Sequence, residues 1–301
     1  MINFDGRVVI VTGAGKGLGR AYALDLAARG AKLVLNNRRR EVDAEGLTAV
    51  DHVVREIRAK GGEAVANYAS VEDPTSGHQM VQQALDTWGR LDALVNNAGI
   101  DRSKTFSKFE IDDFLDIFQV NFHGTLYVTH AAWKVMREAG YGRIIVSASS
   151  AGLHGGRGLA AYAAAKGALI ALMRSLATEG RSSNVLVNAI APYAATPMTG
   201  DHIPVELRDA LRPERVAPLV AYLASEQNQR VTGETFVAAK GRFLRAATVE
   251  GHGMSYGEAD LTDQAIERDI DAIRSLDDPR EFPDAPSAFM DFIGAAPARK
   301  E

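Results

Sequence analysis

Tyr162 and Lys166 stand four residues apart in the stretch Tyr162-Ala163-Ala164-Ala165-Lys166. On a helix this spacing puts both side chains on one face, so the ammonium lies beside the phenol or beside a ligand that reaches it. A free phenol has a pKa of about 10, too high for a base at neutral pH. A neighbouring cation favours the phenolate, and the pair can then move a proton at a substrate oxygen. Ser149, at the end of a predicted strand, offers a hydroxyl to the same oxygen, and Asn121 lies further upstream. Taken singly, each has an ordinary reading: a buried aromatic, a strand-end cap, a polar residue on a helix. Their company is what carries weight.

That company begins with a glycine-rich turn. A β-branched run, Arg7–Thr12, leads into Gly13-Ala14-Gly15-Lys16-Gly17-Leu18-Gly19, and a predicted helix follows. Glycines at 13, 17 and 19 let the backbone turn tightly and approach a pyrophosphate, which then sits on the helix N-terminus. After a strand and before a helix, such a loop is the fingerprint of a dinucleotide site. Enzymes that use NAD place a carboxylate for the adenosine ribose roughly 20 residues further on. Here the matching residue is Asn37, followed by Arg38, Arg39 and Arg40. A guanidinium welcomes a 2′-phosphate that a carboxylate would repel. Arg38 and Lys16 therefore point to NADP(H), with NAD as the alternative, while Arg39 and Arg40 read as a solvated basic turn.

The glycine pattern, Asn96-Asn97-Ala98-Gly99, Asn121, Ser149 and Tyr162/Lys166, in this order and spacing, resembles the short-chain dehydrogenase/reductase family in its classical form. The likeness spans about residues 5–240. It implies a Rossmann fold, a nicotinamide cofactor, and Asn121, Ser149, Tyr162 and Lys166 as the catalytic tetrad. It also implies that Ser149 holds the substrate oxygen and that Lys166 binds the nicotinamide ribose. Asn121 would kink its helix and hold a water that links Lys166 to solvent. Gly13, Lys16, Gly17, Leu18, Gly19, Asn37, Arg38, Ser70, Val71, Asn97, Ala98, Gly99, Pro192, Ala194 and Thr196 would line the cofactor together with Tyr162 and Lys166.

There are two departures from the family pattern. Ala69 stands where an aspartate often contacts adenine, which leaves backbone groups of Ser70 and Val71 for that task. Pro192 is followed by Tyr193 rather than glycine, giving a stiffer loop over the nicotinamide. A closer likeness, carried by Gly19–Leu24, Val65–Tyr68, Asn188–Pro192 and Leu211–Val220, is to the (3R)-hydroxyacyl-CoA dehydrogenase unit of multifunctional β-oxidation enzymes.

The elements that must position these groups alternate. Apolar runs at Arg7–Thr12, Lys32–Asn36, Glu63–Asn67, Ala93–Asn96, Arg143–Ser147, Val185–Ile190 and Thr235–Ala238 read as strands buried on both faces. Between them lie predicted helices at 17–29, 43–60, 74–88, 112–139, 161–179 and 213–225. Strands alternating with helices of this length make βαβ units, hence an α/β doubly wound fold with a seven-stranded parallel sheet. Residues 1–240 form the expected catalytic domain. Residues 241–301, richer in glycine and proline and with one clear helix near 262–275, read as an extension packed on the domain or on a partner subunit.

Composition excludes other classes. The chain has 301 residues, 46% of them hydrophobic, a net charge of −4 and no cysteine. The acidic balance argues against nucleic acid or an anionic membrane as partner. The missing thiols remove disulfides and thiolate zinc sites and suit a reducing compartment. No histidine pair has metal-ligand spacing, so no metal is expected. The opening Met1-Ile2-Asn3-Phe4-Asp5 lacks the pattern of a signal peptide, and Ala298-Arg299-Lys300-Glu301 is not a peroxisomal address. The expectation is a cytoplasmic oxidoreductase that interconverts a secondary alcohol and a ketone. It would pair as a homodimer through its two long helices, with a tetramer as the larger form. Arg102 is a candidate contact for an anionic substrate, His154 for the pocket, and Arg212, Arg215, Lys240, Arg242 and Arg245 for CoA phosphates. The alternatives are a hydroxysteroid or other bulky ring alcohol as substrate and, from another class, a non-catalytic protein that senses NADP.

Overall fold

The computed structural model describes residues 2–38, 41–199 and 203–294. Met1–Arg245 form one compact unit and Ala246–Glu301 a second. In the first, β1 (Val8–Thr12), β4 (Ala93–Asn96) and β5 (Gly142–Ser147) are buried at every position. β2 (Lys32–Asn36) and β6 (Val185–Pro192) are nearly so, whereas β3 (Glu63–Asn67) and β7 (Thr235–Ala239) are only partly buried. Continuous apolar runs are what strands covered on both faces require. The order is β3-β2-β1-β4-β5-β6-β7-β8, and every pairing from β3 to β7 is parallel.

The period of two divides each strand between two cores. Val9, Val11, Leu33, Leu35 and Ile145 face α1 (Gly17–Ala28), α2 (Ala49–Ala59) and α9 (Ala217–Ala224). Val8, Ile10, Val34, Leu94 and Ile144 face α3 (Ser76–Trp88), α5 (Gly124–Glu138) and α7 (Ala160–Gly180). Chain order reverses between β1 and β4, and in an open α/β sheet a ligand binds outside the carboxyl ends of the strands at such a point.

Several boundaries differ from expectation. The sheet has eight strands, because Lys240 and Gly241, at φ of 53° and 77°, turn the chain back into β8 (Arg242–Ala246). A two-residue turn with both φ positive joins antiparallel strands. The helix expected over 43–60 starts only at Ala49. Asp43 instead ties a loop by accepting from the Glu45 and Leu47 amides. Thr48 and Asp51 then form a reciprocal capping box. The long helix expected over 112–139 is α4 (Ile111–Phe118) and α5, joined by a π-turn at Gln119–His123. The last expected helix of this unit splits into a 3₁₀ turn, Pro213–Arg215, and α9.

A short α6 (Ser150–His154) precedes α7, and α8 (Val205–Arg208) precedes the 3₁₀ turn. The second unit holds α10 (Asp263–Arg274) and a further helix, α11 (Ala285–Phe292). Glu250 and Arg280 pair through their backbones, and Ala265 is the one buried apolar side chain among its described residues.

Candidate active site

Asn97 closes the switch point between β1 and β4. Its Nδ2 donates to Thr12 O at 3.0 Å and Gly13 O at 3.2 Å, while the Asn97 and Ala98 amides donate to Thr12 Oγ1. Gly13 and Gly17 sit at φ of 64° and 55°, a region that favours glycine. A Cβ on Gly19 would stand 2.3 Å from Gly13 O, so this helix start must be glycine if the turn is to close. The first turn of α1 carries no side-chain cap and no acidic residue. Its amides are thus left for an anion, which fits the pyrophosphate of a dinucleotide.

From this loop one cleft of about 770 Å³ runs past Asn37, Arg38, Val71 and Gly99 to Ser149, Tyr162 and Lys166. Lys16, Leu18, Ala98, Pro192, Ala194 and Thr196 also line it. Three of the expected residues do not. Gly19 lies behind the loop, and Ser70 Oγ is turned to Glu72 at 3.1 Å. Asn121 is fully buried behind Gly99.

The π-turn that interrupts the α4–α5 helix brings Asn121 inward. Its Nδ2 donates to Ile100 O at 2.8 Å and to Ile117 O at 2.9 Å, while Oδ1 is buried without a partner among the described residues. A Cβ on Gly99 would meet Asn121 Oδ1 at 2.5 Å and Lys166 Nζ at 3.5 Å, so these two groups crowd one point. Lys166 Nζ donates to Ser147 O at 2.7 Å and lies 5.6 Å from the Tyr162 ring centre. Burial lowers its pKa to about 8. Ser149 caps α6, its Oγ accepting from the Ala151 amide at 3.1 Å.

Tyr162 departs from expectation. Burial pushes the phenol up to about 12, the hydrogen bond from Ser149 pulls it partly back, and the Asp101 carboxylate raises it again. The chain by itself therefore holds a protonated phenol at neutral pH. A bound oxidised nicotinamide would add a positive charge that lowers it.

At the other end of the cleft, Arg38 Nη1 pairs with Glu72 at 2.9 Å, and Glu41 also lines the wall. Arg39 and Arg40 lie outside the described residues. Arg102 does not line the cleft; it pairs with Asp113 at 2.9 Å and Asp116 at 3.1 Å. His154 is exposed and likewise absent from the lining. Three of the five residues of the basic cluster are paired, Arg212 and Arg215 sharing Asp209 and Arg245 against Glu234. Sequence reasoning passed over Asp101 and the start of α2, which line the cleft together with Leu159 and Ile203. Only the Thr48-x-x-Asp51 capping box was there to be read.

Comparison with known proteins agrees with this geometry. The model of the short chain dehydrogenase family matches residues 7–204. The chain is 49% identical over 227 residues to peroxisomal multifunctional enzyme type 2 of Mus musculus, covering 75% of this chain and 30% of that protein. It is 41% identical over 297 residues to peroxisomal multifunctional enzyme A of Dictyostelium discoideum, covering 98% and 66%. The solved full-length peroxisomal multifunctional enzyme type 2 of Drosophila melanogaster superposes with a TM-score of 0.83 at 35% identity, covering 97% of this chain and 50% of that one. The chain thus spans from under a third to about two thirds of these relatives.

Proposed function

Because the chain belongs to the short chain dehydrogenase family, we propose that it interconverts a (3R)-hydroxyacyl-CoA and its 3-oxo partner with NADP(H) as cofactor. The observation that carries this is the single cleft joining an uncapped helix start and Arg38 to Ser149, Tyr162 and Lys166. When bound, the nicotinamide exchanges a hydride with the carbinol carbon. The chain handles the oxygen and its proton.

In this reading Ser149 donates to the carbonyl oxygen and holds it against Tyr162. The phenol, protonated at neutral pH, gives its proton as the alcohol forms; in the other direction the phenolate removes it. Lys166 remains close enough to stabilise that phenolate. Its remaining N–H donors and the unpartnered Asn121 Oδ1 suit a bridging water, which would return the proton from solvent. Gly13, Gly17 and Leu18 would hold the pyrophosphate, with Gly19 closing the loop behind them, and Asn97 to Gly99 the ribose beyond it. Val71 would meet the adenine. Pro192, Ala194 and Thr196 would cover the nicotinamide.

Lys16 and Arg38 support NADP(H), since two cations at the adenosine end suit a 2′-phosphate. The thioester reading draws on the likeness to hydroxyacyl-CoA dehydrogenase units and on Leu159, Tyr193, Met198, Ile203 and Leu211 at the substrate end. These apolar walls suit an acyl chain. Steady-state kinetics on a 3-oxoacyl-CoA and on the matching ketone without CoA test it. An advantage for the thioester in kcat/KM supports the reading, and equal values overturn it.

A homodimer is the assembly proposed with it. Phe106, Ile111 and Leu115 are 71%, 70% and 58% exposed at the start of α4, more apolar surface than a lone helix should show to water. Light scattering that finds a single chain at micromolar concentration would overturn the pairing. The absence of cysteine supports a reducing compartment, the cytoplasm in this reading.

A further inference from the structure

The loop after Gly99 is fixed on both sides of Asp101. Asn121 holds the Ile100 carbonyl at 2.8 Å, and the Lys104 amide donates to Gly158 O at 3.0 Å. Between these anchors, Asp101 lines the same cleft as Ser149 and Tyr162. Its Oδ2 accepts from Ser103 Oγ at 3.2 Å, while Oδ1 is buried with no partner among the described residues. The adjacent cations are engaged elsewhere: Arg102 by Asp113 and Asp116, Lys104 by Asp113. A carboxylate oxygen withdrawn from water without a donor is costly. Native structures tolerate one chiefly where it serves a ligand.

We propose that Asp101 determines substrate specificity by accepting a hydrogen bond from an uncharged donor, a hydroxyl or amide N–H, on the part of the substrate that lies in the cleft beside it. The inference rests on the reading that Ser149 and Tyr162 hold the reacting oxygen, because that fixes which part of the substrate passes Asp101. In an acyl thioester of the CoA type, the group that qualifies is the amide N–H of the arm beyond sulfur. The same carboxylate repels a substrate that carries a negative charge at that position. The preanchored loop keeps the acceptor in place before binding, so little ordering is lost when the donor arrives.

The test is kcat/KM on two matched pairs of ketones with NADPH. One pair is the 3-oxobutanoyl thioester of N-acetylcysteamine against its S-butyl analogue, which lacks the amide. The other is 3-hydroxybutan-2-one against butan-2-one. In the wild type the donor-bearing member of at least one pair should lead by about tenfold or more, as expected for a hydrogen bond to a charged acceptor. Asp101→Leu should bring that ratio to within about twofold, and Asp101→Asn, which keeps a neutral acceptor, to a value between. A fluorescence titration with NADPH checks that each variant is folded; if Asp101→Leu fails it, Asp101→Ser takes its place. Ratios unchanged by the substitutions overturn the proposal, as does a variant that shifts only the pH profile, since Asp101 would then act on Tyr162 and not on substrate. Turnover without donor preference in the wild type overturns this inference alone. No turnover of any probe overturns the catalytic reading along with it.

Discussion

The two ends of the sheet hold their buried polar groups in opposite ways. At the amino ends of the strands, Asp92 takes Arg7 at 2.7 Å, Arg90 at 2.6 Å and the Val8 amide at 2.9 Å. Arg143 donates to the carbonyls of Gly142, Asn184 and Asn228, and the Tyr141 ring lies between Arg7 and Arg143. At the carboxyl ends, Asn96 Oδ1, Asp101 Oδ1, Asn121 Oδ1 and Ser147 Oγ are buried without a partner among the described residues. Both ends desolvate polar atoms at similar cost, but only one recovers it within the chain. The satisfied end is built for stability. In the proposed function, the unsatisfied end is the one that cofactor, substrate and water would complete.

If this division is right, substitutions at the two ends should separate activity from stability. Tyr162→Phe should show the largest effect, a loss of kcat of about a thousandfold, because the proton then has no general acid or base. NADPH affinity and melting temperature should stay near wild type; a large fall in either would make Tyr162 a structural residue. For the wild type, alcohol oxidation should rise with pH through neutrality, since it needs the phenolate of a group that burial holds up in the free chain. Ketone reduction, which uses the protonated form, should stay flat over the same range. An oxidation rate that ignores pH would break the assignment.

Asp92→Ala should do the reverse. Removing Asp92 deletes hydrogen bonds to two part-exposed arginines and the Val8 amide, a loss of about 1–3 kcal/mol, read as a lower melting temperature with kcat intact in the folded protein. Burial pushes the Asp92 carboxyl up, yet Arg90, the Val8 amide and Arg7 together hold it below its ordinary value. A depressed carboxyl contributes stability above its unfolded pKa, about 3.9, and loses it as pH falls below. The wild type should therefore weaken in acid more steeply than Asp92→Ala, and parallel pH curves would remove Asp92 from the account.

Arg38→Ala should narrow the preference for NADPH over NADH by about ten- to a hundredfold, the value of one bidentate phosphate contact. Glu72 competes for the same guanidinium, so Glu72→Gln should widen the preference. Equal affinities for the two cofactors in the wild type would sink the assignment to NADP(H). Ser147→Ala is the smallest test. Its Oγ has no partner, so stability should change by less than about 0.5 kcal/mol or rise slightly. A clear loss in the cofactor-free protein would mean that the unsatisfied end is paired after all.

Most of the fold was legible because its signals are local. A strand buried on both faces needs an unbroken apolar run, and Val8–Val11 or Ile144–Val146 can hardly be anything else. The glycine turn was legible for the same reason: Gly13 and Gly17 answer to their own φ angles, and Gly19 to an oxygen six residues away. Where reading failed, a local signal had been outvoted or overlooked. Residues 43–48 look helical by composition, but Asp43 closes a loop there and Thr48 restarts the chain as a helix. Lys240-Gly241 is a hairpin turn whose second strand, Arg242–Ala246, was taken for tail.

By itself, then, the sequence determined the α/β class and pointed to the glycine loop and to the residues proposed to handle the proton, because each depends on residue type and short spacing. It could not set their electrostatics. That Tyr162 is held up near 12, that Lys166 is brought down to about 8, and that Asp101 faces the cleft with a free oxygen depend on burial and on segments far apart in the chain. Desolvation is a property of the assembled interior: no stretch of residues carries it until β4, β5, α7 and the π-turn at Asn121 have closed around the same few atoms.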